Sequence, residues 1–418
     1  MSMERVKRGA WATGLLLGLS LPASAQFALH NGDRVVFYGD SITDNAPYTT
    51  FIETFVLTRF PKMNVRFFNA GMGGDRVVGG GLGPIDTRLP RDLFSRKPTV
   101  VTVMLGMNDG GYRAFDQGLY DTYRTGFAHI ADRFKAEIPG ARIWLMEPSP
   151  YDDFTRPPGV PGGGYNAVLK KYGEADADLA KERGYGVVDL NTPLADALTK
   201  AAAADPAVAQ KILGDRVHPW LAGHLVMASS ILKAWGAPSL VSRTEVDATN
   251  GHTNVAGATI RNVKTNEGVK WDSLEESLPF PINRKDETTA LILRTSPIEE
   301  AIGREIIQVH NLPAGDYKLM IDGQAIGQFS ADVFNAGVDL AWQDTPMSKQ
   351  AWRVYDWTTK RTDLKYFTWR KIEVGMSDLT DKGKAEALKS IDKLEDDLIK
   401  RQHAEAQPKM HHFEVVHA

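Results

Sequence analysis

The sequence predicts an α/β fold: a parallel sheet covered by helices on both faces over residues 33–238, then a β-rich accessory region and a terminal amphipathic helix. Three observations predict it. Short apolar runs alternate with helix-length stretches in the first half, the rhythm of a parallel sheet. Polar, glycine-bearing segments follow three of those runs, and open α/β sheets bind ligands at that edge. After Pro238 the rhythm stops and strand and turn signals take over.

The elements follow in order. Val35-Val36-Phe37-Tyr38 reads as a buried strand ending at Gly39. Val65 to Phe68, Val100 to Leu105, Ile143 to Met146 and Gly186 to Leu190 are the other four strand candidates. Helices are expected over about 46–60, 116–138, 165–183 and 221–235. Residues 150–163 hold Pro150, Pro157, Pro158 and Pro161 and read as a loop, either a lid over substrate or a long connection. Further on, Tyr317 to Ile321 and Gln324 to Phe329 flank Asp322-Gly323, a hairpin signal. Five of the nine tryptophans (Trp271, Trp342, Trp352, Trp357 and Trp369) lie in this second half. Residues 381–406 form an amphipathic helix with Leu388, Ile391, Leu394 and Leu398 on one side. The expected division is a leader at 1–25, an α/β domain at 26–240, a β-rich region at 241–375 and a helical segment at 376–418.

Composition excludes several classes. A chain of 418 residues, 43% hydrophobic and 24% charged, is ordinary for a globular protein and long enough to bury a large core. A net charge of −3 gives no electrostatic footprint for nucleic acid. Arg5, Lys7 and Arg8 precede an apolar stretch from Trp11 to Leu21 and an Ala23-Ser24-Ala25 cleavage pattern. That is the layout of a secretory signal peptide, with Gln26 as the new N-terminus. The apolar run is short for a bilayer span, so cleavage is expected rather than a retained membrane anchor. The product is secreted or periplasmic, and loss of three basic residues and Glu4 takes its net charge from −3 to −5. The chain has no cysteine, which excludes disulfides, thiolate metal sites and a cysteine nucleophile.

The chemistry lies in four segments: Gly39-Asp40-Ser41, Asn69-Ala70-Gly71-Met72-Gly73-Gly74, Gly106-Met107-Asn108-Asp109 and Asp215-Arg216-Val217-His218. Ser41 is the candidate nucleophile, and a serine hydroxyl needs an adjacent base. His218 is the candidate base, and Asp215, three residues earlier, can orient its ring from the same loop. Acyl transfer also needs donors aimed at the developing oxyanion. The Ser41 N–H, the Gly74 N–H and the Asn108 amide are available, with Gly71 and Gly73 as neighbours that leave the glycine's position open. The Gly-x-Ser-x-Gly elbow of α/β-hydrolases is absent, because position 43 is threonine.

Taken together, the four blocks resemble the SGNH/GDSL hydrolase superfamily over residues 33–238. One small departure is Ile42, where that family's first block has leucine. The resemblance implies a three-layer α/β/α sandwich of flavodoxin-like type with a five-stranded parallel sheet. It implies ester hydrolysis with no metal or other cofactor, a Ser41–His218–Asp215 triad and Gly74 as the oxyanion glycine.

Each residue has a structural alternative. Gly-Asp-Ser is a common turn sequence, Asn108 can cap a turn, and Asp215 can cap a helix. Asp40 and Asp109 are expected to hold loops by hydrogen bonds, and His224 to be structural or at the surface. The run at 71–83 lacks the lysine ending of a phosphate loop, and His411-His412 is too small a cluster for a metal site. The tryptophans can stack on sugars but serve more often as core. The expected substrate is a small-molecule or polysaccharide ester, most of all an acetylated carbohydrate. The rivals are a lipid-directed esterase or lysophospholipase, and a non-catalytic carbohydrate-binding or surface protein.

Overall fold

The computed structural model describes residues 27–418, so the leader expected at 1–25 lies outside the described residues. Five strands form a parallel sheet: β1 (Arg34–Gly39), β2 (Arg66–Asn69), β3 (Val100–Met104), β4 (Arg142–Met146) and β5 (Gly186–Val188). Their order is β2-β1-β3-β4-β5. Every residue of β3 is buried. This is why the run Val100-Val101-Thr102-Val103-Met104 shows no alternation: a strand covered on both faces has no polar side.

Helices pack in pairs on this sheet. Of these, α1 (Ser41–Asp44) is a single turn at the end of β1, and α2 (Pro47–Arg59), α3 (Gln117–Glu137), α4 (Tyr165–Arg183), α5 (Asn191–Ala204) and α6 (Leu221–Ala234) follow. Helix α2 packs against α6, and α3 against α4, which gives an α/β/α sandwich. The carboxyl ends of β1, β2 and β3 run into the first three polar blocks, and the fourth block precedes α6.

The second half is built differently. Strands β6 (Leu240–Asp247), β7 (Thr253–Ala256), β8 (Ala258–Lys264), β9 (Val269–Glu275), β10 (Arg304–His310), β11 (Asp316–Ile321), β12 (Gln324–Ser330), β13 (Val338–Asp339) and β14 (His411–His417) make two sheets. One is a five-stranded antiparallel sheet of order β8-β9-β14-β11-β12, the other a four-stranded sheet of order β13-β10-β6-β7. The hairpin turns at Asp322-Gly323, both with positive φ (51° and 76°), as a two-residue primed turn requires.

This β-rich half also holds two features that its strand and turn signals do not show. The region read as β-rich also contains a 22-residue helix, α7 (Pro346–Phe367), with Trp352 and Trp357 on it. Its start is locally encoded: Thr345 Oγ1 accepts the Ser348 N–H at 3.0 Å and Pro346 takes the first helical position. The terminal segment is helical only over α8 (Lys382–Glu405), and the chain then inserts β14 between β9 and β11. His411 and His412 bond Asp322 and Asp272 there, at 2.6 and 2.7 Å. Trp271 and Trp369 are core residues, whereas Trp342 is exposed.

The two halves are joined by buried charge. Arg361 on α7 binds Glu53 on α2, Glu395 on α8 at 3.1 Å and the Phe67 carbonyl on β2 at 3.2 Å. Gln402 donates to the other oxygen of Glu53 at 2.9 Å. Not every buried charge is matched so well. Both carboxylate oxygens of Glu305 on β10 are buried without a hydrogen-bond partner among the described residues. Burial pushes its carboxyl well above the usual range, and the nearby Glu275 adds to this. Among the described residues, no helix is long and apolar enough to cross a membrane.

Candidate active site

Ser41 is the first residue of α1, directly after β1, and the Asp40 carboxylate accepts the Ile42 N–H at 3.0 Å to cap that turn. The first N–H groups of a helix have no intrahelical acceptor, and the Ser41 N–H is one of these. His218 comes from the loop before α6, and its Nε2 lies 2.8 Å from Ser41 Oγ across 177 residues of chain. Its Nδ1 lies 2.6 Å from Asp215 Oδ2, and the other oxygen of Asp215 accepts the N–H groups of Val217 and His218 at 3.0 and 2.8 Å. Burial raises the Asp215 carboxyl, but the bonds from the His218 ring and from these N–H groups outweigh it and hold the group below the usual carboxylate range.

The second block is clamped onto the first. Asn69 Nδ2 donates to the Thr43 carbonyl at 2.6 Å, and its Oδ1 accepts the Gly71 N–H at 2.8 Å. The Gly73 N–H goes to Asp44 Oδ2 at 3.0 Å. A Cβ on Gly71 would lie 2.2 Å from the Asp44 backbone nitrogen, so only glycine permits this approach. Gly74 differs: its φ is +77° and a Cβ there would meet nothing within 4 Å. Its N–H has no acceptor among the described residues, whereas those of Gly71 and Gly73 are already bonded.

Asn108 arrives from the end of β3. Its Nδ2 donates to the Asp75 carbonyl at 3.0 Å, and its Oδ1 accepts the Tyr112 hydroxyl at 2.9 Å. One amide hydrogen remains. Asp109 accepts the N–H groups of Val77 and Gly106 at 2.9 and 3.0 Å, and so ties the second block to the third. Burial pushes the carboxyls of Asp40 and Asp109 up to about 7 and about 6. His224 is fully enclosed, stacks on Tyr48 and is pushed down to about 3 by burial, so it stays neutral and structural.

Behind the second block, buried Arg88 binds Asp75, Asp92 and the Ala70 carbonyl. Trp369, from the second half, donates its indole N–H to Asp92 at 3.0 Å, and Arg370 reaches the Gly71 carbonyl at 3.4 Å. Residues of the 150–163 loop lie against the loop that carries Asp215 and His218, because Arg216 donates to the carbonyls of Asp152 and Pro157, both at 3.0 Å. Arg88, Tyr112 and Arg370 belong to no motif that the sequence offers, while Arg216 is legible only as part of the fourth block and Trp369 only as one of the tryptophans. Among the described residues no group of three or more His, Cys, Asp or Glu is placed to hold a metal ion.

Residues 37–226 match the model of the GDSL-like Lipase/Acylhydrolase family. The first half of the chain belongs to that family. The GDSL-like hydrolase is 24% identical over 235 residues to an acetylxylan esterase of Geobacillus stearothermophilus, covering 51% of this chain and 98% of that protein. Among solved structures it is similar to a gut microbial diltiazem-metabolizing enzyme, with a TM-score of 0.83 and 28% identity over 94% of this chain and 100% of the other. The crystal structure of a Geobacillus stearothermophilus acetylxylan esterase aligns at a TM-score of 0.41 and 23% identity, over 50% of this chain and 97% of the other. As a member of this family, the GDSL-like hydrolase is an ester hydrolase.

Proposed function

We propose that this GDSL-like hydrolase is an exported serine esterase that removes acetyl groups from a carbohydrate or polysaccharide ester. The observation that carries this reading is the contact of His218 Nε2 with Ser41 Oγ at 2.8 Å, completed by Asp215 at 2.6 Å from the other ring nitrogen. Ser41 Oγ attacks the ester carbonyl carbon while His218 takes its proton. The oxyanion is held by the N–H groups of Ser41 and Gly74 and by the free amide hydrogen of Asn108. Collapse breaks the bond to the alcohol, which leaves with the proton from His218. Water then attacks the acyl-serine, again through His218, and releases the acid.

The substrate assignment draws support from the acetylxylan esterase relative and from the leader pattern at residues 1–25. The test is hydrolysis of 4-nitrophenyl esters of increasing acyl length by the wild-type protein and by Ser41→Ala. Acetate is expected to be the best substrate, and the variant, folded by circular dichroism, to lose about a thousand-fold or more in kcat. Equal rates for both proteins would leave a non-catalytic binding module. Preference for long acyl chains would favour the lipid-directed alternative.

A further inference from the structure

Tyr112 stands out in the backbone before its contacts are considered. It is a bulky residue in the left-handed region, with a φ of 56°, directly after Gly111, whose φ is 66°. For an aromatic side chain that conformation is an outlier. Such strain persists where the surroundings over-determine it, and it concentrates at functional sites. Here the two consecutive left-handed residues turn the chain back after the third block, so that the ring returns over Asn108, four residues earlier. Tyr165 flanks it at 5.1 Å between ring centroids and Tyr151 at 6.4 Å, while 41% of Tyr112 stays exposed at the crevice.

We propose that Tyr112 is a positioning residue that holds and polarises the Asn108 amide toward the oxyanion. The inference rests on the reading that Asn108 stabilises that charge. The chain of bonds has one direction: the Tyr112 hydroxyl donates to Asn108 Oδ1 at 2.9 Å, and the amide then donates through Nδ2 to the Asp75 carbonyl at 3.0 Å and, with its second hydrogen, to the oxyanion. A donor on the amide oxygen draws electron density from the nitrogen and makes its N–H groups stronger donors. It also opposes a flip of the amide, which would present oxygen to both the Asp75 carbonyl and the oxyanion. Burial pushes the Tyr112 phenol up to about 12, with Asp40 and Asp215 adding to the shift, while Arg76 opposes it. The hydroxyl therefore remains a donor throughout the range in which an ester hydrolase is assayed.

The test is a double-mutant cycle on acetate hydrolysis with Tyr112→Phe, Asn108→Ala and both together. Tyr112→Phe keeps the ring and is expected to lower kcat about 3- to 10-fold, the scale of one hydrogen bond, with KM nearly unchanged. The double variant is expected to be no slower than Asn108→Ala, because the hydroxyl acts only through the amide. Tyr112→Gly relieves the backbone strain and is expected to be at least as slow as Tyr112→Phe, which separates the rate effect from folding. Wild-type kcat in Tyr112→Phe, or losses that add in the double variant, would overturn the role of Tyr112 while a slow Asn108→Ala keeps the oxyanion assignment. A wild-type rate in Asn108→Ala would instead remove the assignment beneath it.

Discussion

Strand β3 in the first half is buried at every position, whereas β9 in the second half alternates strictly between buried and half-buried residues. The first pattern belongs to a parallel sheet sandwiched by helices, the second to an antiparallel sheet with a single packed face. The difference extends to chemistry. Parallel strands all end at one edge, so loops distant in sequence converge there, and Ser41, Asn69 and Asn108 follow or close the ends of three neighbouring strands. An antiparallel sheet alternates its strand ends between two edges and concentrates nothing in this way. The second half contributes instead from outside, through Trp369 and Arg370 behind the second block and Arg361 beneath α2.

If the halves were energetically independent, removing a contact at their junction would affect only the second. Arg361→Ala tests this with the largest expected effect. It leaves Glu53 without its buried cation, while Glu395 keeps Lys365 at 2.8 Å, and breaking such a buried pair typically costs about 3–5 kcal/mol. The expected outcome is one cooperative urea transition shifted to a lower midpoint. Two separated transitions, with only the later half destabilised, would break the view of a joined molecule.

A smaller effect is expected within the site, where Gly71→Ala sharpens the same comparison. Its new Cβ would collide with the Asp44 backbone, at a cost of about 1–3 kcal/mol as the second block moves off the first. Stability measurements and kcat should fall together. An alanine at Gly71 with unchanged kcat would show that the approach of the two blocks is not needed for catalysis.

The smallest effect lies far from the chemistry. In the folded chain burial holds the Glu305 carboxyl well above the ordinary value of 4.5 at which it ionises in the unfolded chain. The stability that this group contributes is complete below the unfolded value and is lost as pH rises toward the folded one. Glu275 and Asp339 raise the Glu305 carboxyl further, and Arg59 opposes them. Glu305→Gln should therefore melt higher than wild type at about pH 8, with the gap closing toward about pH 4. A gap that is constant with pH would show that Glu305 does not titrate with folding. The enzyme's activity should be little altered, since the residue lies on β10 of the second half.

Much of the first half is legible because its signals are local. Apolar runs, helix periods and the four polar blocks each occupy a few consecutive residues. The second half is read less well for two physical reasons. Tryptophan density suggests strands, yet Trp352 and Trp357 sit on α7, whose Thr345-Pro346 start is the more reliable signal. The strand β14 carries no local signal of its partners, and its place between β9 and β11 depends on contacts about 90 and 140 residues away, Asp322 and Asp272.

By itself the sequence determined the kinds of groups present, their order and the sheet edge to which they are delivered, because strand period, turn chemistry and block spacing are properties of neighbouring residues. Tertiary structure decided which of three glycine N–H groups stays unbonded, which way the Asn108 amide faces and what supports it from behind. Those outcomes depend on hydrogen-bond partners brought together from distant parts of the chain, and a donor remains free for substrate only when the folded neighbours have left it unused.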